Sequence, residues 1–191
     1  AAAGVFIPQL DSDRFGGYSD WRFPAIDELD SIVRFGLSNP AINQRYFPST
    51  MPECYWSSTT FAADETLAWS LGFNDGSIFI GNKQDGCHVR AVRGGQLMRT
   101  YTDNGDGTVT AVDNGRSLMW SRDSFVEAST WEDALAYCEN LTLAGYSDWR
   151  LPNIKELRSL VDFERVEPAI NLNYFPDTML DPYWSSTTYA E

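Results

Sequence analysis

The sequence predicts an α+β fold with a mainly antiparallel sheet, and three observations lead to it. Short runs of strand-forming residues are separated by Gly, Asn and Asp turn clusters. Two kinds of segment place apolar residues at helical spacing. Gly17–Thr60 returns as Gly145–Thr188 at a constant offset of 128, with 28 identities in 44 positions and no insertion or deletion, which makes the relation a duplication. That period far exceeds the roughly 20 to 50 residues of solenoid units and matches a whole domain.

The elements of one unit follow in order. "NGDGTVTAVDNGRSLMW" reads as two short strands: Asn104–Gly107 and Asp113-Asn114-Gly115 are turn chemistry, and the Thr/Val run between them favours a strand. Ser129 or Thr130 can cap a first helix in which Trp131, Ala134, Leu135 and Cys138 share a face. "GYSDWR" then approaches a second helix, with Pro152 suited to its first turn and Ile154, Leu157, Leu160 and Val161 on its apolar face. Ile26, Leu29, Ile32 and Val33 repeat that face. After a Pro- and Asn-rich irregular stretch come four strand-like runs, "YWSSTT", "LAWSLGF", "SIFIG" and "HVRAVRG". The chain is thus read as tandem copies cut out of phase. Residues 1–96 form a first copy lacking its N-terminal strands and first helix; residues 97–191 form a second lacking its C-terminal strands.

Composition narrows the class. With 43% hydrophobic and 14% aromatic residues the chain builds a core. A formal net charge of −13 repels phosphate backbones and anionic lipid, which argues against nucleic acid as a partner. It suits an extracellular protein, or one that attracts cations. No apolar run is long enough for membrane insertion, and no initiator Met, signal segment or lipidation motif is present, as in a mature product or a fragment. Three cysteines are too few for a disulfide scaffold and too far apart for a zinc knuckle.

The combination "DNGDGTVT…LMW", "WEDALAYC", "AGYSDWRLPNIKELRSLVD", "YWSSTT" and "AWSLGF…VRAVRGG" closely resembles the bacterial family named after the C-terminal domain of the Legionella collagen-like adhesin. The resemblance covers the chain from Gly17 onward and leaves residues 1–16 outside. It implies a C-type-lectin-like fold, with two helices, a long irregular loop and a small antiparallel sheet. It also implies a secreted or cell-surface location and a binding role. A calcium-bridged sugar site is not implied, because "NPAIN", "EPAIN" and "YWSSTT" stand where such lectins carry their calcium ligands. In lectin-like domains a helix-one cysteine commonly bridges to the last strand. The resemblance therefore implies that Cys138 pairs with an equivalent of Cys87 beyond Glu191, or with Cys87 itself. Cys54 has Pro182 as its counterpart and falls outside the repeated plan.

Candidate sites remain to be weighed against structural roles. The seven tryptophans are read mostly as core. The Asp and Arg of "GYSDWR" are expected to pair with one another or with nearby backbone. Asp103, Asn104 and Asp106 offer the hard oxygen donors calcium prefers, though a hairpin turn accounts for the same residues. His88 is the single histidine, with Cys87 badly placed beside it as a partner, so no catalytic residues and no cofactor other than possible calcium are expected. The expected function is recognition of a glycan or protein at the cell surface, with loop residues Asn74, Asp75, Asn82 and Asp85 as ligand contacts. The alternative is a structural subunit of an extracellular filament or surface assembly, in which neighbouring copies of the protein complete one another.

Overall fold

The structure, a computed structural model, describes residues 3–113, 115–124 and 130–188; Asn114 and Ser129 lie outside the described residues. The chain divides into two units, one formed by Ala1–Gln96 and the other by Leu97–Thr188. The first contains α1 (Ala3–Ser12), β1 (Trp21–Arg22), α2 (Ile26–Ser31), β2 (Cys54–Thr60), β3 (Leu67–Gly72), β4 (Ile78–Asn82) and β5 (Val92–Arg93). The second contains β6 (Arg99–Asp103), β7 (Thr108–Asp113), β8 (Arg116–Ser121), α3 (Trp131–Asn140) and α4 (Ile154–Arg158). The class is α+β with small antiparallel sheets, ordered β1-β5, β2-β3-β4 and β6-β7-β8.

Beyond the short strand β1 within "GYSDWR" and the ends of α2 and α4, which stop before Ile32 and Leu160, two elements depart from expectation. Helix α1 stands where the first copy was expected to lack its first helix, and subtracting 128 from the bounds of α3 gives the bounds of α1. The two helices share no identical residue; Phe6, Ile7 and Leu10 in α1 take the places of Ala134, Leu135 and Cys138 in α3. Pro8 inside α1 removes one helical hydrogen-bond donor, which hides the helix from propensity. Strand β6 is the second departure: it makes the expected two-stranded hairpin a three-stranded meander.

Caps define the other helices. Thr130 Oγ1 accepts from the Asp133 N–H and opens α3. Asn153 and Glu156 form a full capping box at α4, while at α2 Ala25 supplies only the backbone half, donating its N–H to Glu28 Oε2. Pro24 and Pro152 therefore precede the caps instead of sitting in the first turn.

The two units share a loop plan but bury different faces. Each has a cis Xaa-Pro bond, Asn39–Pro40 and Glu167–Pro168, with the preceding residue in the left-handed region. In the first unit α2 packs on β2 and β3, and Ile26, Leu29, Val33, Ile42, Leu71 and Phe73 are buried. In the second, Val109 and Ala111 of β7 pack with Leu160 and Phe175, flanked by Tyr101, Trp120, Ile170 and Tyr174. Leu160 and Phe175 correspond to Ile32 and Phe47, which are only half-buried, while Ile154, Leu157 and Val161 are half-buried where Ile26, Leu29 and Val33 are covered. The difference follows from the sheets: the first unit holds β2–β4, the second β6–β8. Gly76, at φ +85°, turns β3 into β4 where a Cβ would lie 2.5 Å from Val33.

Leu29→Ala should therefore cost about 3 kcal/mol in the first unit, and Leu157→Ala about half that in the second, because only Leu29 leaves a closed cavity. Amide exchange read separately in each unit is the measurement.

Candidate functional site

The residues of "GYSDWR" do not pair with each other. Arg22 donates two hydrogen bonds of 2.6 Å to the carboxylate of Glu28 on α2. Its other hydrogen bonds reach the neighbouring Phe23 carbonyl, at 3.3 Å, the Gly94 carbonyl, at 3.2 and 3.1 Å, and the Gly95 carbonyl, at 3.3 Å. Asp20 instead accepts from Arg93 at 2.9 Å, and the Arg93 guanidinium lies 3.6 Å from the Tyr18 ring centroid. Together with the pairing of Trp21 to Arg93 and Arg22 to Val92, these contacts make the motif the seat of the last strand, β5. In the second unit Arg150 holds Glu156 by two bonds of 2.7 Å, and Glu156 accepts the Asn153 N–H at 2.8 Å.

These contacts set the acidity of both glutamates. Burial works to raise Glu28, but the hydrogen bonds from Arg22 and the Ala25 N–H prevail and hold it below the ordinary range. The Arg150 hydrogen bonds are the leading influence on Glu156; they lower it against the opposing effect of burial.

The disulfide is Cys54–Cys87, with Cα atoms 5.2 Å apart, and Cys138 is free. This corrects the Cys87–Cys138 pairing. Cys54 opens β2, and the His88 N–H donates to the Cys54 carbonyl at 2.8 Å, so Cys87 is carried to it by backbone pairing. Burial pushes the Cys138 thiol up. Beside the bridge, His88 Nε2 lies 2.7 Å from Glu53 Oε2 and the imidazole stacks on Tyr55. Arg90 completes the cluster: its guanidinium is 4.8 Å from the Phe47 ring centroid and donates to Thr50 Oγ1 at 2.6 Å. Sequence reading missed Glu53, Thr50 and Arg90; the alternation in "HVRAVRG" was the available signal for Arg90.

The four candidate loop residues gather at two turns, Asn82 being the last residue of β4. Asp75 Oδ1 accepts from the Ser77 N–H, and the Asn74 carbonyl accepts from the Asn39 N–H. Asn82 Oδ1 accepts from the Gln84 N–H, and the Asp85 N–H donates to the Asn82 carbonyl. The turns stand at opposite ends of β4, about 16 Å apart at a strand's rise, so the four residues do not converge on one point. They bracket an edge strand on which Phe79 and Ile80 are 47% and 44% exposed.

At the expected calcium turn, Asp103 accepts from the Gly105 N–H and from Arg122, and Asp106 accepts from the Thr108 N–H and hydroxyl. Asn104 Nδ2 donates to Thr108 and Thr110. These bonds brace the β6–β7 hairpin. Among the described residues no group of three or more His, Cys, Asp or Glu side chains is placed to hold a metal ion. Of the tryptophans, Trp56 is buried and Trp184 is 53% exposed.

The family model described as the Lcl C-terminal domain matches residues 1–93 and 108–191. The match takes in residues 1–16, which the resemblance had left outside. No curated protein and no solved structure matches the chain. No described helix is long and apolar enough to cross a membrane.

Alkylation of the denatured, unreduced chain should add one label, at Cys138, and reduction first should add three. Removing the bridge with Cys54→Ser and Cys87→Ser should cost the first unit about 3–4 kcal/mol, the loop-closure value for a separation of 33 residues. The depressed glutamates predict a pH effect of definite sign. Their stabilisation is complete above the unfolded value, near 4.5, and is lost as pH falls through the lower folded value. Glu28→Gln should remove about 1.5–3 kcal/mol from the first unit at pH 7 and flatten its acid dependence below pH 4.5, as read by denaturant titration.

Proposed function

The chain belongs to the Lcl C-terminal domain family, and from that premise we propose that it is a secreted or cell-surface bacterial binding module. Its two units are read as tandem copies of a C-type-lectin-like domain, and its partner is a glycan or protein met outside the cell. The observation that carries the reading is the edge strand β4. Phe79 and Ile80 present apolar surface there, and the turn residues Asn74, Asp75, Asn82 and Asp85 flank it with amides and carboxylates. Apolar surface bordered by short polar side chains serves both sugar stacking and strand addition by a peptide.

The reading is non-catalytic. His88 is committed to Glu53 and Tyr55, and Cys87 to the bridge, so these groups support the fold. The acidic surface directs the module away from nucleic acid and anionic lipid.

Arrays of glycans and extended peptides, probed with the whole chain, test the proposal. Ile80→Lys, which charges the exposed edge without touching the core, should weaken the bound signal at least tenfold while leaving the unfolding midpoint unchanged. Equal binding by Ile80→Lys and the parent chain would remove β4 from the site.

A further inference from the structure

Two backbone bonds fix which way each residue of β4 faces. The Gly72 N–H donates to the Ser77 carbonyl at 2.9 Å, and the Lys83 N–H donates to the Thr66 carbonyl at 3.1 Å. In the antiparallel register that sets Leu71 opposite Ile78 and Leu67 opposite Asn82, bonded and unbonded pairs alternate. Ser77, Phe79, Gly81 and Lys83 therefore turn their backbone groups toward β3, and Ile78, Ile80 and Asn82 turn theirs away. Among the described residues no strand pairs with the outer side of β4. The Asn82 carbonyl is taken by the Asp85 N–H, at 2.8 Å. The N–H and carbonyl groups of Ile78 and Ile80 are left facing outward.

The side chains divide in the same regular way. Phe79 and Ile80 are neighbours in a strand and stand on opposite faces of the sheet. On the first face Gly81 adds no side chain, because the Trp56 indole fills the place where its Cβ would lie, 2.9 Å from Cη2. On the second, Trp69 stands opposite Ile80, with the Phe61 ring edge-on to it at 5.4 Å. A sugar ring stacks on one flat face and does not reach both exposed side chains. An extended chain laid along β4 touches both, and its own backbone meets the outward groups between them. Charge points to a basic occupant. Residues 61–86 carry Asp64, Glu65, Asp75 and Asp85 against the single cation Lys83, whose ammonium already donates to Thr60 Oγ1 and to the Glu65 carbonyl. Asp75 and Asp85 lie beyond the two ends of the strand.

We propose that β4 takes its partner by strand addition: the partner is an extended segment of another protein, apolar in its middle and basic at both ends, that hydrogen-bonds to Ile78 and Ile80. This rests on β4 being the binding site and narrows its ligand from glycan or protein to protein. A second copy of the chain is a poor occupant, because an antiparallel β4–β4 pair would bring Asp75 of each copy to Asp85 of the other.

Capped peptides of about seven residues, with Arg at each end and Val, Thr or Tyr between, are the probe, and the whole chain is the target. The tightest binder should slow amide exchange at Ile78 and Ile80 at least tenfold, read by NMR, and leave Phe79 and Gly81 unchanged. The same peptide N-methylated at every second residue keeps one bonding edge and should bind; fully N-methylated, with identical side chains, it should not. Glutamate in place of both arginines should weaken binding at least tenfold. Ile80→Pro removes an outward N–H without taking a bond from β3 and should abolish binding, while Ile80→Val retains it. The methylated peptides meet the unaltered chain, so the test stands even where Ile80→Pro fails to fold. Binding by the fully methylated peptide, or by no peptide, would overturn strand addition. So would protection of Ile80 that grows with the concentration of the chain alone, which marks a second copy. A glycan whose binding is lost in Ile80→Lys keeps β4 as the site and overturns only the peptide. Peptide binding that survives both Ile80→Lys and Ile80→Pro overturns the site itself.

Discussion

The first unit depends on one guanidinium. Glu28 is nearly buried, and a buried carboxylate is tolerated only with a paired charge and satisfied oxygens. Arg22 supplies both with a fork of two short bonds, and the Ala25 N–H supplies a third. The arrangement holds the start of α2, a helix of six residues too short to stand without tertiary support. Other Arg22 donors reach carbonyls 72 and 73 residues away, so the same group closes the end of the unit against its beginning. Lysine could not replace it, because an ammonium lacks the planar fork that engages carboxylate and carbonyls together.

Around this clamp the loop after the second helix is held by its own polar contacts. Asn43 and Asn171 each fold back on the following residues, the side chain accepting from the N–H two residues on and the carbonyl from the N–H groups of Tyr46 and Phe47, or Tyr174 and Phe175. The Arg34 and Asp162 N–H groups donate to the carbonyls of Ala41 and Ala169. Such bonds do not depend on which sheet covers the helix. That independence explains how two units with different sheets keep the same loop while their buried faces differ.

What could be read in advance follows the range of the interactions. Turn chemistry and helical spacing are local, and the strands β2, β3, β4, β7 and β8 and the helices α2, α3 and α4 coincide, to within a residue at an end, with segments singled out for those reasons. Helix α1 was hidden because Pro8 opposes it and its apolar residues keep only the spacing, not the identity, of α3. The partners of Asp20 and Arg22 lie 73 and 6 residues away, and nothing in the hexapeptide points to them. The disulfide was misread for a related reason. The resemblance ties the cysteine of the first helix to the last strand, and comparison of the copies sets Cys54 aside as special to the first, whereas its approach to Cys87 arises from pairing of β2 with the segment around His88. The four loop candidates lie at two turns, with Asn82 closing β4, and spacing along the chain could not show that a whole strand separates the two pairs.

Charge adds a constraint on what the exposed edges can meet. A strand edge with apolar side chains is open to any chain that can add a strand, including another copy. A net charge of −13 opposes that encounter between copies at long range, and salt weakens the opposition. The same field favours a neutral or basic partner. Within the chain, the segment that seats on "GYSDWR" meets this condition: Arg90 and Arg93 carry its positive charge, one among aromatic rings and the other against Asp20 and Tyr18. The acidity of the surface and the basicity of the last strand thus act together, discouraging indiscriminate pairing while rewarding a strand that presents arginine at the right register.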